Sequence, residues 1–210
     1  MNSKWLNIGV VVFLTVLSGC ATMNADECAV SDWSAVGYED GSRGYTEDRF
    51  GGHRKACAKH GITADFQAYQ TGRDRGLESF CQPGRGFSFG ANGGQYNGVC
   101  AVDREPEFLD AYHAGRKLHT LRSNVSAVNS QLYAAEKALE ATRSRIVTVE
   151  LLLINSETST DDRIALLAEL QELSERKGKL KSDIKTLVAD QARLEQDLQY
   201  YEQTVADLGY

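Results

Sequence analysis

The chain has 210 residues, 25% charged and 42% hydrophobic, with nineteen glycines, five cysteines and only two prolines. That length and mix fit one or two modest domains and exclude a generally disordered chain. A net charge of -6 and a pI near 5.3 argue against a nucleic-acid partner, since phosphate binding draws on clustered Lys and Arg and no basic block appears. The averages hide a mosaic: fifteen of the nineteen glycines fall between Gly37 and Gly115, and no proline follows Pro106.

The first twenty residues point to a compartment. Lys4 supplies a positive start, and Leu6 to Leu17 is an apolar run too short to span the roughly 30 Å bilayer core as a helix. Residues 1–19 are therefore expected to be a signal peptide. The run ends in Leu17-Ser18-Gly19-Cys20, which resembles a bacterial lipoprotein lipobox. That resemblance implies a Cys20 bearing thioether-linked diacylglycerol and an amide-linked acyl chain such as palmitate. Several acyl chains, at about 0.8 kcal/mol per buried CH₂, make a durable anchor. Residues 20–27 then form the lipid-anchored linker. Ala21 follows the cysteine rather than Asp, and by the usual lipoprotein sorting rule this implies the periplasmic face of the outer membrane.

With Cys20 used for lipid, Cys28, Cys57, Cys81 and Cys100 remain, and in an oxidising periplasm four cysteines are most simply two disulfides. Zinc is the competing use, but the four contain no C-x₂-C pair and no nearby His-x₃-His pair, so no metal is expected.

Residues 28–115 carry an internal repeat: Tyr38-x-x-Gly41, Tyr69-x-x-Gly72-Arg73 and Tyr112-x-x-Gly115-Arg116. On a helix this unit puts the aromatic ring and the glycine on one face. Glycine costs about 1 kcal/mol against alanine inside a helix, so spaced glycines need a compensating contact. Close packing of helix backbones is one such reason. Room for a ligand is the other, with Asp40, Arg43, Tyr69, Arg73 and Asp74 as its face, and the sequence does not separate the two.

Ser31 or Asp32 can cap a first helix reaching about Gly44, a second runs from near Asp48 to His60, and Thr63 or Asp65 caps a third that reaches Cys81. Antiparallel contact of the first two brings Cys28 near Cys57, which favours the pairs Cys28–Cys57 and Cys81–Cys100. The latter closes a glycine-rich loop, Gln82 to Val99, expected to be a short β-hairpin through Asn92-Gly93 or an irregular Ω-loop. No lysine follows its glycines as a P-loop requires.

The pattern from Cys28, Trp33 and Gly37-Tyr38-x-Asp40-Gly41 through Cys57, Gly61, Asp65, Tyr69-x-x-Gly72-Arg73-x-x-Gly76 and Phe80-Cys81 resembles a Gram-negative lipoprotein family known as domain of unknown function 2799. It continues through Tyr96-x-Gly98-Val99-Cys100 to Glu107-Phe108-Leu109-x-Ala111-Tyr112-x-x-Gly115 and covers about residues 20–120. The resemblance implies a lipoprotein and brings no assigned reaction or ligand.

Beyond residue 116 the pattern changes. Leu118, Leu121, Val125, Val128, Leu132, Ala135, Leu139, Thr142, Ile146, Val149 and Leu153 follow alternating steps of three and four. After a polar turn the steps resume at Leu166 and reach Leu208. These are the seams of a long antiparallel two-helix coiled coil, with arms 116–155 and 161–208 about the turn 156–160. Folding it about that turn sets Leu118 opposite Tyr201, Val128 opposite Gln191, and Thr142 opposite Lys177 beside Gly178, a weak layer.

The expected fold is mainly α: a small disulfide-stapled helical domain with a Gly-rich loop or short hairpin, then the coiled-coil hairpin. No nucleophile, base and orienting group stand together in the sequence, so neither an enzyme nor a cofactor is expected. The expected role is that of an envelope lipoprotein, held to the membrane at Cys20, whose hairpin self-associates or binds an envelope protein. Cell-wall saccharide or peptide binding at the glycine-rich face is the alternative, and a hydrolase stands third.

Overall fold

In a computed structural model the described residues are 23–209, so the signal segment 1–19 and Cys20 lie outside them. Helices in chain order are α1 (Ala25–Val30), α2 (Trp33–Ser42), α3 (Asp48–Ala58), α4 (Phe66–Phe80), α5 (Pro83–Ala91), α6 (Glu105–Ile154) and α7 (Thr160–Asp207), and no strand occurs among the described residues. No helix among them is long and apolar enough to cross a membrane. The described chain divides into two compact units, one ending at Glu78 and the other beginning at Ser79. The division falls inside the stretch 28–115, and each unit holds one disulfide, Cys28–Cys57 in the first and Cys81–Cys100 in the second.

In the first unit, Asn24 and Glu27 cap α1 reciprocally, and the Asp32 carboxylate starts α2 by accepting from the N–H groups of Ser34 and Ala35. α2 and α4 then lie in backbone contact. A Cβ added at Gly37 would stand 1.9 Å from the Tyr69 carbonyl oxygen, and one at Gly41 2.2 Å from that of Arg73. From the other side, one at Gly72 would meet the Ser34 oxygen at 1.8 Å and one at Gly76 the Tyr38 oxygen at 2.2 Å. A step of four along α2 is matched by a step of four forward along α4, so the two helices run parallel. Close approach is what these four glycines provide. Parallel neighbours need a return segment, and α3 is that segment. The core beneath them gathers Trp33, Phe50, Cys57 and Tyr69 with the Cys28 half of the disulfide.

The second unit repeats the arrangement. A Cβ at Gly86 would stand 2.6 Å from the Phe108 oxygen, one at Gly90 2.3 Å from the Tyr112 oxygen, and one at Gly115 2.1 Å from the Phe87 oxygen. This corrects the expected β-hairpin or Ω-loop, because the first half of Gln82–Val99 is the helix α5. Pro83 at the first helical position presets the turn, and Gly86 and Gly90 then share the face that meets α6. Gly93 (φ +79°) ends α5 one residue past the Asn92 cap, and His119 Nδ1 lies 3.3 Å from the Ala91 carbonyl oxygen. The rest of the loop is irregular. It is held by the disulfide, by Tyr112 donating to the Gly94 oxygen (3.0 Å) and by Tyr96 donating to Glu105 (2.8 Å).

Superposing the spacings shows one motif used twice. Cys28 precedes Gly37 by nine residues, as Cys81 precedes Gly90, and Cys57 precedes Tyr69-x-x-Gly72-Arg73 by twelve, as Cys100 precedes Tyr112-x-x-Gly115-Arg116. The disulfides span 29 and 19 residues, so the second copy is ten residues shorter. Between α5 and α6 the shorter copy has no helix where the longer one has α3.

From residue 105, α6 runs unbroken for 50 residues and α7 returns beside it for 48. Leu118, Val128, Leu139, Ile146 and Val149 are buried along α6. Cross-arm contacts give an antiparallel register close to the one expected. The Tyr201 hydroxyl donates to the Ala114 oxygen (3.0 Å) with Lys117 over its ring, Gln191 donates to Asn129 (2.9 Å), and Arg145 pairs with Glu169 (2.6 Å). Thr142 is buried and spends its hydroxyl on the Ala138 oxygen of its own helix. The turn is closed by Arg163, which donates to the carbonyl oxygens of Leu153, Asn155 and Thr158 at the end of α6. The Asn155 oxygen also accepts from the Thr158 N–H, and Arg163 supplies donors where the helix end has none of its own.

Candidate functional site

The chemistry-bearing residues collect in two places, one in each unit. In the first, Asp40 on the last turn of α2 is 5% exposed and accepts from His53 Nε2 of α3 (2.8 Å) and from the Tyr69 hydroxyl of α4 (3.0 Å). Arg49 Nε stands 3.7 Å from its other oxygen. Burial pushes the Asp40 carboxyl up, but the hydrogen bonds from His53 and Tyr69 and the charges of His53 and Arg49 outweigh it and hold the group below the usual carboxylate range. The Tyr69 hydroxyl is driven far up, first by burial and then by the Asp40 charge and hydrogen bond, so it stays a donor. An ionised carboxylate accepts only, so His53 Nε2 is the donor of that bond. The other nitrogen, Nδ1, is buried with no hydrogen-bond partner among the described residues. One carboxylate thus joins three helices.

Over this centre lies a cleft of about 420 Å³, walled by Glu27 and Val30 of α1, Val36, Glu39 and Arg43 of α2, and Arg49 and His53 of α3. The five residues of the expected ligand face separate in three dimensions. Asp40 and Tyr69 turn inward and bond to each other, and Arg43 reaches the cleft wall while paired with Glu39 (2.7 Å). Arg73 donates to the Tyr45 carbonyl oxygen, and Asp74 is exposed. His53 and Arg49 complete the centre and had no signal in the sequence, because α3 brings them to Asp40 from more than one turn away. The glycines at the two helix crossings, Gly37, Gly41, Gly72 and Gly76 in one copy and Gly86, Gly90 and Gly115 in the other, meet backbone rather than empty space, which decides between the two uses open to them in favour of packing.

The second place is the far end of the hairpin. Leu151, Ile154, Ile164 and Leu167 are 60%, 79%, 64% and 56% exposed around the turn. A groove of about 440 Å³ there has Leu152, Ala165 and Leu166 in its walls with Glu157, Asp162 and Glu169. The charge is one-sided: between residues 147 and 172 stand Glu150, Glu157, Asp161, Asp162, Glu169 and Glu172 against the single cation Arg163. Arg163 is committed to backbone carbonyls and Glu169 to Arg145, while none of the other five carboxylates is in an ion pair among the described residues. Past Glu175, α7 carries Arg176, Lys177, Lys179, Lys181 and Lys185 against Asp183, a cationic band that corrects the expectation of no basic block. It is one helical segment long, and averages over the chain conceal it.

Among the described residues no group of three or more His, Cys, Asp or Glu side chains could hold a metal ion. Neither a curated protein nor a solved structure matches the chain. A family model described as "Protein of unknown function (DUF2799)" matches residues 32–117. The match begins at the N-cap of α2 and ends just past Tyr112-x-x-Gly115-Arg116, taking in both glycine crossings and stopping where the hairpin begins. Residues 32–117 therefore match the family called DUF2799, and a long helical extension follows them.

Proposed function

We propose that the protein is a non-catalytic envelope lipoprotein, anchored through Cys20 on the periplasmic face of the outer membrane, that works by protein docking through its helical hairpin. The observation that carries this is the apolar end of the hairpin, where Ile154 and Ile164 are 79% and 64% exposed on either side of the turn. Leaving several large aliphatic side chains in water at one spot is unfavourable by about 25 cal/mol per Å² of apolar surface, which favours a covering partner. Four cysteines closed as two disulfides fit an oxidising compartment, which supports the envelope location. In-cell photo-crosslinking from Glu150 or Gln171 is the test. A defined crosslinked band from these positions, absent from a control position on the first unit such as Lys59, is expected. Equal or no crosslinking at all three positions overturns the docking role.

A second role has its own observation, the cleft above Asp40. Its Arg43 and Arg49 side chains suit a carboxylate-bearing cell-wall peptide or saccharide. Arg49→Ala, which leaves the Asp40 bonds to His53 and Tyr69 in place, is expected to abolish retention on peptidoglycan if the cleft is used. Unchanged retention removes this role.

A further inference from the structure

We infer that the hairpin end docks on the cationic band of a second copy of the same chain, giving a two-fold symmetric, antiparallel pair of hairpins. This self-association presupposes the docking role proposed above and names its partner.

Charge complementarity within one hairpin carries the inference. The end, residues 147–172, holds six carboxylates against one arginine, and the band, residues 176–185, holds five cations against one carboxylate. Arg176, Lys179, Lys181 and Lys185 are exposed, and no member of the band is in an ion pair among the described residues. Asp161 and Lys181 are twenty residues apart on α7, which is about 30 Å of helix. Two hairpins meeting end to band would therefore overlap along a comparable length. Because each copy contributes one end and one band, both contacts form at once, as an isologous interface requires. End-to-end contact is disfavoured, since it would oppose two acidic clusters. An anionic lipid surface is disfavoured for the same reason.

The apolar surface agrees with the charges. The α7 seam residues Leu166, Leu170, Leu173, Leu180, Ile184 and Leu187 remain partly exposed beside α6, although a seam position is ordinarily closed. Val188, just past the band, is 48% exposed. A second hairpin laid antiparallel would cover this strip and the groove beside Leu152 together, as in a four-helix bundle.

The test is a charge exchange on the full chain in detergent, followed by sedimentation. The wild-type chain is expected to be a dimer that weakens as salt is raised. The band reversal Lys179→Glu, Lys181→Glu, Lys185→Glu and the end reversal Glu150→Lys, Asp161→Lys, Glu172→Lys each put like charges in both contacts. Each is expected to raise the dissociation constant about 100-fold or more. Mixing the two variants restores opposite charges in both contacts and is expected to recover a one-to-one heterodimer. Circular dichroism equal to wild type in both variants guards against unfolding. A wild-type monomer, or reversals that stay dimeric, or a mixture that fails to pair, overturns the self-docking. If the wild-type chain is monomeric yet Glu150 crosslinks in cells to a different protein, the docking role stands and only the second-copy assignment falls. A monomer that crosslinks to nothing removes both.

Discussion

The two disulfide-closed copies are built on the same parallel crossing and differ in what stands at its edge. In the first copy, α3 packs against the crossing and carries Phe50, His53 and Arg49, so the tyrosine of the motif, Tyr69, is fully buried and bonds a carboxylate. The second copy is ten residues shorter and has no counterpart of α3. The position matching Asp40, counted from the preceding cysteine, is Gly93, and Tyr112 donates instead to the carbonyl oxygen of Gly94. The crossing itself survives that loss. A backbone-to-backbone contact made by glycines, closed by a disulfide and a tyrosine, is thus common to both copies, and the buried charge is an addition peculiar to one.

Filling the crossing is expected to have the largest effect. A methyl group at Gly72 would lie 1.8 Å from the Ser34 oxygen and at Gly115 2.1 Å from the Phe87 oxygen. Neither neighbour is a flexible side chain that can swing away. Gly72→Ala and Gly115→Ala should each destabilise their own copy by about 3 kcal/mol, as overpacking does. Hydrogen exchange resolved by unit is the measurement, and an effect confined to one copy would show that the crossings are not equivalent.

Opening the disulfides comes next. Paired Cys→Ala substitutions at 28 and 57 or at 81 and 100 are expected to cost about 3 kcal/mol each, with the first pair larger by a few tenths because it closes the longer loop. Urea unfolding of each variant checks the order. A much larger loss for the second pair would place its irregular loop, rather than the crossing, at the centre of that copy's stability.

The tyrosines offer a finer comparison. Tyr69→Phe removes a hydrogen bond to a buried carboxylate and should cost about 2 kcal/mol, whereas Tyr112→Phe removes a neutral bond to a carbonyl and should cost about 1 kcal/mol. The pH dependence follows the same division. Asp40 is held below its ordinary value of 3.8 in the folded chain. A lowered folded pKa contributes stability that is fully present above the unfolded value and is lost as pH falls through the folded one. The first unit should therefore loosen in acid below about pH 4, and Asp40→Asn should flatten that limb in an exchange-versus-pH series.

The smallest effect is a gain. Gly178 lies inside α7 with open space where a Cβ would be, so Gly178→Ala should stabilise the hairpin by just under about 1 kcal/mol. Thermal unfolding that shows a loss instead would mean this glycine, like those of the crossings, is covered by another backbone.

Much of this architecture is legible in the residues themselves. The seam from Leu118 onward repeats every three and four residues, so the helix pair and its register follow from periodicity, and only the ends shift by a residue or so. Asp32, Asp48, Gly61 and Asp65 mark the helix limits of the first unit because caps and left-handed turns have local chemistry. The stretch Gln82–Val99 misleads for an equally physical cause. Its glycines suggest a loop by composition, yet two of them pack α5 against α6, and a contact with a helix beginning more than a dozen residues later leaves no local trace. Asp40 shows the same limit, for the residues that make it a buried centre rather than a surface carboxylate come from α3 and α4.

The sequence by itself determined the helical class, the cysteine pairs, the repeated tyrosine and glycine spacing and the change of character near residue 116. These depend on intrahelical periods and on neighbours close in the chain. Only the tertiary structure decided that the spaced glycines carry parallel backbone contacts, that α5 replaces the expected loop, that Asp40 and Tyr69 face each other inside, and that the hairpin leaves an apolar, acidic end uncovered. Those outcomes depend on which surfaces meet across long separations, where burial and carbonyl contacts outweigh local preference.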